Sequence, residues 1–338
     1  MEVNTTDFPD YVANLKVLFQ KGFGSFIEES QSAKQFYSTM YIGPHQGTSV
    51  RVEEPLTARA PSKRVDEGDN FRTTSIAPGY YMDVTVARRS TDIGYTWMFE
   101  YHNKYPNQIN QIYQDAGYNL RYGLELDAIH RFSFITSTSY TDRDGTKVST
   151  VSGDGYQVAY SAHTLTGSTK TYRTRLAGNP GACSGTIEQM ITNFRQQTMD
   201  NKGNRYQAYP NVLMVGSDET QYNACKILFQ SSGNPEGAHS GVLNPLLQTK
   251  RVIMHPYLDS DKNGDVDSTK KGYLVMLDTS QTFGYLVVSE NPTVTLPTVS
   301  NGGITFSNEN REVKGTATYA FVGLNPRCVQ FSSGDGEA

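Results

Sequence analysis

Residues 106–132 constrain this chain more than any other stretch. They place Ile109, Ile112, Tyr113, Ala116, Leu120, Leu124, Ala128 and Phe132 mostly three and four positions apart, the spacing of one apolar helix face. Pro106 stands where a first helical turn tolerates a missing N–H. Arg121 and Glu125, and Asp127 and Arg131, are opposite charges four apart, expected as exposed pairs that add modest support. Gly117 and Gly123 each cost up to about 1 kcal/mol relative to Ala, so the helix must rely on packing. At about 1.5 Å per residue it runs roughly 40 Å. A lone helix of that length, in a chain otherwise rich in Thr, Ser, Tyr, Gly and Asn, is expected to be a spine.

Composition narrows the class. With 338 residues the chain can build one large or two modest cores. Its 22 Tyr and 30 Gly point to strands and turns. Net charge is −4, and the longest basic runs are pairs such as Arg88–Arg89 and Lys270–Lys271, which argues against a dedicated phosphate-binding stripe. No apolar run reaches the ~18–20 residues that span a bilayer. The first residues lack the basic and apolar regions of a signal peptide. Cys183, Cys225 and Cys328 show no paired spacing and read as free thiols in a reducing compartment.

In chain order, residues 1–44 carry Leu15, Leu18, Phe19, Phe23, Phe26 and Ile27, a short amphipathic helix that Gly22 and Gly24 are expected to interrupt. It reads either as a docking arm or as a core helix. Residues 45–95 hold seven charges of each sign. Alternating runs at 49–52 and 81–86 flank a centre containing Pro55, Pro61, Gly68 and Pro78, the pattern of a long two-stranded excursion. Two strands alone are marginal in water, so the excursion is either a disordered insertion or finds its missing surface on another subunit. After the spine, residues 132–140 and 146–151 read as strands around an Asp142–Gly145 turn, and residues 152–180 as a Gly/Ser/Thr-rich connection. From residue 184 the pattern is mixed. A helix at 186–199 is capped by Ser184 or Thr186, and a strand follows at 211–215. A second helix, started by residues 217–220, buries Ala224, Ile227, Leu228 and Phe229. Strands follow at 251–255, 273–277, 284–288, 293–296, 304–306 and 316–322, before a polar tail.

Active-site signals are weak. Gly181-Ala182-Cys183-Ser184-Gly185 has the outline of a nucleophile elbow, but no strand precedes it. His163 and His239 are possible partners, each in a Ser/Gly-rich loop where no orienting acid is expected. Asp259, Asp261, Asn263, Gly264, Asp265 and Asp267 match positions of a calcium loop. Lys270 stands where the bidentate Glu belongs, so a solvated acidic turn is the expected reading. No catalytic, cofactor-binding or metal-ligating residue is assigned.

The order of parts resembles a tailed-phage major capsid protein of the Johnson fold, which is shared with the herpesvirus capsid floor and encapsulin shells. Asp66-Glu67-Gly68 is similar to the acidic-Gly step of that family's extended loop, and residues 81–89 resemble its returning strand. Gly153-Asp154-Gly155 followed by Ser161-Ala162-His163 resembles the Mu-type branch, and Gly323-Leu324-Asn325-Pro326 the closing turn. The resemblance implies an α+β chain with five parts: an N-terminal arm at 1–44, an extended β-hairpin loop (E-loop) at 45–97, a peripheral (P) domain with the spine at 98–175, a mixed α/β axial (A) domain at 176–285, and late strands returning to the P-domain with a tail at 286–338. It implies a structural protein, not an enzyme, that forms hexamers and pentamers of an icosahedral shell around double-stranded DNA. Arg59, Lys63, Arg64, Asp66, Glu67, Gly68 and Arg72 would make contacts between subunits. The implied partners are other copies, a separate scaffolding protein, a portal, a possible decoration protein and DNA bound without sequence specificity, with no membrane. The implied place is the virion, assembled in the host cytoplasm. Lys63 is the only Lys in the excursion, but no crosslink motif surrounds it. Three alternatives remain beside this reading: an encapsulin-like nanocompartment shell, a cysteine hydrolase using Cys183, and a calcium-dependent adhesion or tail module.

Overall fold

The computed structural model describes residues 8–43, 49–56, 74–96, 107–233, 250–295 and 310–336, with scattered positions at 60–67 and 243–247. The first element, α1 (Phe8–Ser25), runs unbroken through both glycines expected to interrupt it. Strands β1 (Tyr37–Tyr41), β2 (Ser49–Glu53), β3 (Tyr81–Thr85) and β4 (Ala87–Thr96) follow, and then the spine, α2 (Asn107–Ser133). Tyr113, Ala116, Leu120, Leu124, Ala128 and Phe132 are all buried along one face of α2, as the spacing requires.

The glycines explain how α1 survives. A Cβ on Gly22 would stand 2.7 Å from the Gln114 Cα, and one on Gly117 2.8 Å from the Phe23 nitrogen. Backbone meets backbone where α1 crosses α2, so the propensity lost at these positions permits close packing that seats Leu15 and Phe19 in the core.

The two charge pairs of the spine are not surface pairs. Arg121 and Glu125 meet at 2.9 Å, buried, and Glu125 also accepts from the Ser32 hydroxyl and, at 3.0 Å, from the Ala33 N–H. Burial works to raise the Glu125 pKa, but His255, Ser32 and Arg121 outweigh it and hold the carboxyl below its usual range. Asp127 turns away from Arg131 toward Arg89 and Arg143, each at 3.3 Å, while Arg131 donates to the Phe321 carbonyl at 2.7 Å.

Beyond the spine, β5 (Ser139–Thr141) and β6 (Lys147–Ser149) form a hairpin around a turn in which Gly145 takes φ 80°. The stretch 152–180, read as a connection, contains a second hairpin, β7 (His163–Leu165) and β8 (Ser168–Tyr172). Then come α3 (Ser184–Gln197), β9 (Val212–Val215), α4 (Glu219–Gln230), β10 (Arg251–Met254) and β11 (Leu274–Leu277). The chain continues through β12 (Gly284–Thr295), β13 (Asn310–Gly323) and β14 (Val329–Ser332). The cap of α3 is Cys183, one residue before the expected Ser184, and α4 buries Cys225, Leu228 and Phe229 while Ala224 and Ile227 face outward. The strands expected at 284–288 and 293–296 are one element, β12. Its pairing with β13 shifts between Val288 and Thr293, across Pro292, which lacks an N–H for the ladder. Residues 304–306 lie outside the described residues.

Two four-stranded sheets organise the core, in the orders β1-β12-β13-β4 and β10-β9-β11-β14. In the second sheet alternation serves two cores. Val212, Met214, Val275 and Phe331 face the spine, whereas Leu213, Val215, Leu274 and Met276 face α3 and α4. The closing stretch, expected as a polar tail, supplies the wholly buried strand β14, whose Gln330 and Ser332 find carbonyl partners at Arg173 and Pro180.

Candidate assembly site

The excursion begins as the hairpin of β2 and β3, in register with Arg51 opposite Asp83 and Val52 opposite Met82. Arg51 pairs with Asp83 at 2.9 Å and lies 4.7 Å from the centre of the Tyr81 ring, all exposed. The opposite face of the hairpin is dry. Val52, Tyr80, Val84 and Val86 pack with Ile42, Val287, Val322 and Leu324. The two strands expected to need another subunit thus find a surface within their own chain, on the first four-stranded sheet. The strand expected at 81–86 ends at Thr85, and the next residues join that sheet as β4. Of the expected contact residues, Arg64 and Glu67 are exposed, while Arg59, Lys63, Asp66, Gly68 and Arg72 lie outside the described residues.

The root of the hairpin is tied down by Arg327, 3% exposed, in the turn between β13 and β14. Its Nη1 donates to Glu54 Oε1 at 2.6 Å and its Nη2 to Asn201 Oδ1, and the guanidinium lies 4.5 Å from the centre of the Tyr80 ring. Burial works against its charge, but Tyr172, Tyr80 and Glu54 around it more than offset this and raise its pKa. No sequence pattern links residues so far apart. Only the turn signal at Asn325 and Pro326, where Asn325 caps a short 3-10 turn, was readable.

The remaining candidates resolve into structural roles. Cys183 is exposed, and its sulfur accepts from the Thr186 N–H at 3.4 Å as the cap of α3. His163 does have an orienting acid, nine residues upstream: its Nδ1 lies 2.8 Å from Asp154 Oδ2, and its Nε2 3.0 Å from Thr174 Oγ1. Burial alone would raise the Asp154 pKa, but His163 and Ser152 hold it low. The ring is buried and committed to these partners, and His239 lies outside the described residues. Cys225 and Cys328 are buried, and burial pushes the Cys225 thiol up to about 12 and Cys328 higher still. No Cys–His dyad forms among the described residues.

In the calcium-like loop, Asp261 Oδ1 accepts from the Asn263 and Asp265 N–H groups at 2.8 and 2.9 Å, and Gly264 takes φ 94°. Asp259 turns instead to Ser217, accepting from its hydroxyl at 2.7 Å. Lys270 is buried rather than solvated. Its Nζ donates to the Ser260 carbonyl at 2.6 Å, lies 3.6 Å from Asp267 and caps the Phe134 ring at 3.8 Å. The Asn263 carbonyl accepts from the Tyr122 hydroxyl of the spine at 3.3 Å, which ties the loop to α2, and no group of three acidic, His or Cys side chains converges as a metal site among the described residues. No described helix is long and apolar enough to cross a membrane.

No protein-family model matches the sequence, and no curated protein matches it. Solved structures do. The capsid of the cyanophage P-SCSP1u superposes with a TM-score of 0.53 at 10% identity, over 91% of this chain and 90% of that chain. The chain has the fold of a phage capsid protein. The mature capsid of bacteriophage PhiM1 matches at 0.49 and 11% identity, over 91% of this chain and 88% of its own. The virus-like particle from Pyrococcus furiosus matches at 0.47 and 11%, over 96% and 99%.

Proposed function

We propose that this chain is the major capsid protein of a tailed phage, assembling with copies of itself into the hexamers and pentamers of an icosahedral shell around double-stranded DNA. The observation that carries this reading is the correspondence with the P-SCSP1u capsid, which extends over nine-tenths of both chains. Physical chemistry supports it. A closed container needs repeated heterologous contacts between identical chains, each modest and effective by number. An arm of balanced charge suits that task, because charge complementarity fixes register more than affinity. In this reading the E-loop is residues 45–97, its base held by β2, β3 and β4 on the first sheet, and its arm is the stretch between Glu54 and Tyr80 that carries Arg59, Lys63, Arg64, Asp66, Glu67, Gly68 and Arg72 as contact residues. The P-domain holds the spine at 98–175 together with late strands from 286 onward, and the A-domain, 176–285, whose sheet β14 completes, lines the capsomer centre. The Mu-type order of residues 153–163 fits the same assignment. The role is structural rather than enzymatic, the location is the virion after assembly in the host cytoplasm, and the partners are a separate scaffolding protein, a portal and a possible decoration protein.

Negative-stain microscopy of the purified chain, alone and coexpressed with its scaffolding protein, tests the proposal. Rings of five and six subunits or closed shells are expected. A strictly monomeric species at high concentration with scaffold present would overturn it.

A further inference from the structure

Three separated stretches of chain converge on one guanidinium, and the convergence is at the root of the arm. Glu54 ends the outgoing limb and Tyr80 begins the returning one, joined by the Glu54 N–H donating to the Tyr80 carbonyl at 2.8 Å. Arg327 reaches both limbs, by its ion pair to Glu54 and by lying over the Tyr80 ring. Asn201 closes the circuit: its Oδ1 accepts from Arg327, and its Nδ2 donates to Glu54 Oε2 at 3.3 Å. The same carboxylate oxygen accepts from the Tyr80 N–H at 3.3 Å. Glycines tighten the joint. A Cβ on Gly79 would stand 2.8 Å from the Glu54 Cβ, and one on Gly153 2.8 Å from the Tyr80 ring.

One residue further along, the packing stops. Pro55 and Leu56 border a cleft of about 340 Å³ whose other walls include Asp200, Tyr206 and Tyr285, and Leu56 is 68% exposed. A rigid root therefore gives way, between Glu54 and Pro55, to a limb with open space beside it. The planar fork of an arginine can hold a carboxylate and an amide oxygen in one fixed orientation while stacking on a ring. A lysine supplies the charge without the fork.

We propose that Arg327 is the positioning residue of the arm: its fork to Glu54 and Asn201 sets the direction in which the arm leaves the body, and thereby the angle at which neighbouring subunits meet. The second half of this statement rests on the capsid reading; the first half does not. The geometry assigns Glu54 as the ion-pair partner, Asn201 as the bridge and Tyr80 as the platform.

Two measurements on Arg327→Lys test it, with wild type beside it. In free subunits, hydrogen exchange of the Glu54 and Tyr80 amides is expected to quicken about tenfold while the amides of α2 keep their protection. In assembly reactions, the variant is expected to give shells of mixed radius or open sheets where wild type gives uniform particles, with a melting temperature within a few degrees of wild type. Glu54→Gln keeps the shape and an acceptor for Tyr80 but loses the charge, and carries the same two tests should Arg327→Lys not fold. Unchanged exchange at the root overturns the assignment of the clamp. Faster exchange with uniform wild-type-like shells overturns the link to assembly geometry. A wild-type chain that never assembles removes the capsid reading instead, and leaves the exchange result to judge the clamp.

Discussion

Replacing Gly117 with Ala places one methyl group where α1 crosses α2, and the structure fixes the sign of the result. In an isolated helix the change stabilises by about 1 kcal/mol. Here the new carbon would lie 2.8 Å from the Phe23 nitrogen, and closer still to the Phe19 carbonyl oxygen. Both are backbone atoms that no rotamer change can remove. Either α1 lifts or α2 bends. Lifting loosens Leu15 and Phe19, both buried, and full burial of such side chains contributes about 1.5–3 kcal/mol each. Overpacking in general costs about 1–3 kcal/mol, occasionally more. Backbone contacts this close put the cost at the top of that range, about 3 kcal/mol or more, so with the propensity gain subtracted a net loss of roughly 2 kcal/mol or more is expected. Gly24→Ala is the internal control, since it lies on α1 with nothing within 4 Å of its Cβ and should stabilise by up to about 1 kcal/mol. Urea unfolding of the unassembled subunit reads both as midpoint shifts at constant slope. Shifts of opposite sign are expected. A Gly117→Ala chain as stable as wild type would refute backbone contact between the two helices.

Replacing residues 57–73 by a short Gly/Ser linker should leave cooperative unfolding by calorimetry close to wild type and abolish shells by microscopy. A cut through 52–86 should instead destabilise the subunit, because it removes the buried Val52, Tyr80 and Val84, worth about 1.5–3 kcal/mol each. His130 packs edge-on against the stacked rings of Phe134 and Tyr140, and burial pushes its pKa down to about 4. A depressed base takes up its proton in the unfolded chain first, so stability should fall as pH drops from about 6.5 toward 4, by on the order of 3 kcal/mol. His130→Phe should lose that part of the pH dependence in unfolding curves, and an unchanged slope would contradict the assignment. Millimolar calcium should barely move the melting temperature, because the buried ammonium of Lys270 already donates into the loop. A rise of several degrees that disappears in Asp261→Ala would contradict this.

The spine was legible because its period is long and unbroken, and sixteen or more residues of consistent spacing outweigh any local ambiguity. Gly22 on α1 was misread as a breaker for a physical reason: propensity scores a helix alone, and the close contact that Gly22 permits is with a second helix nearly a hundred residues away. The pair Arg121 and Glu125 looked superficial because four-residue spacing says nothing about which face is buried. Strand β14 was hidden by Gln330 and Ser332, polar residues whose Nε2 and Oγ donate to carbonyls elsewhere in the chain. At the candidate site the hairpin strands could be read from alternation and the turn residues from composition. The dry underside could not, since Val52 and Val84 look the same whether they face their own sheet or another molecule. The Arg327–Glu54 clamp joins residues 273 positions apart and leaves no local trace.

The topology of the two sheets also governs time. Strand β1 pairs with β12, and β14 completes a sheet whose other members, β9 to β11, come much earlier in the chain. Neither sheet can close while the chain is being synthesised through its middle. At roughly 5–20 residues per second, β1, β4 and β11 wait for their partners for seconds to tens of seconds. Such non-local pairing is slow to form, and an unpaired edge left open for that long invites the wrong strand. The last residues of β14 therefore act as a completion signal. Until Val329–Ser332 enters the sheet, Arg327 has no fixed seat and the root of the arm has no clamp, so a half-made chain cannot present its arm in the finished direction.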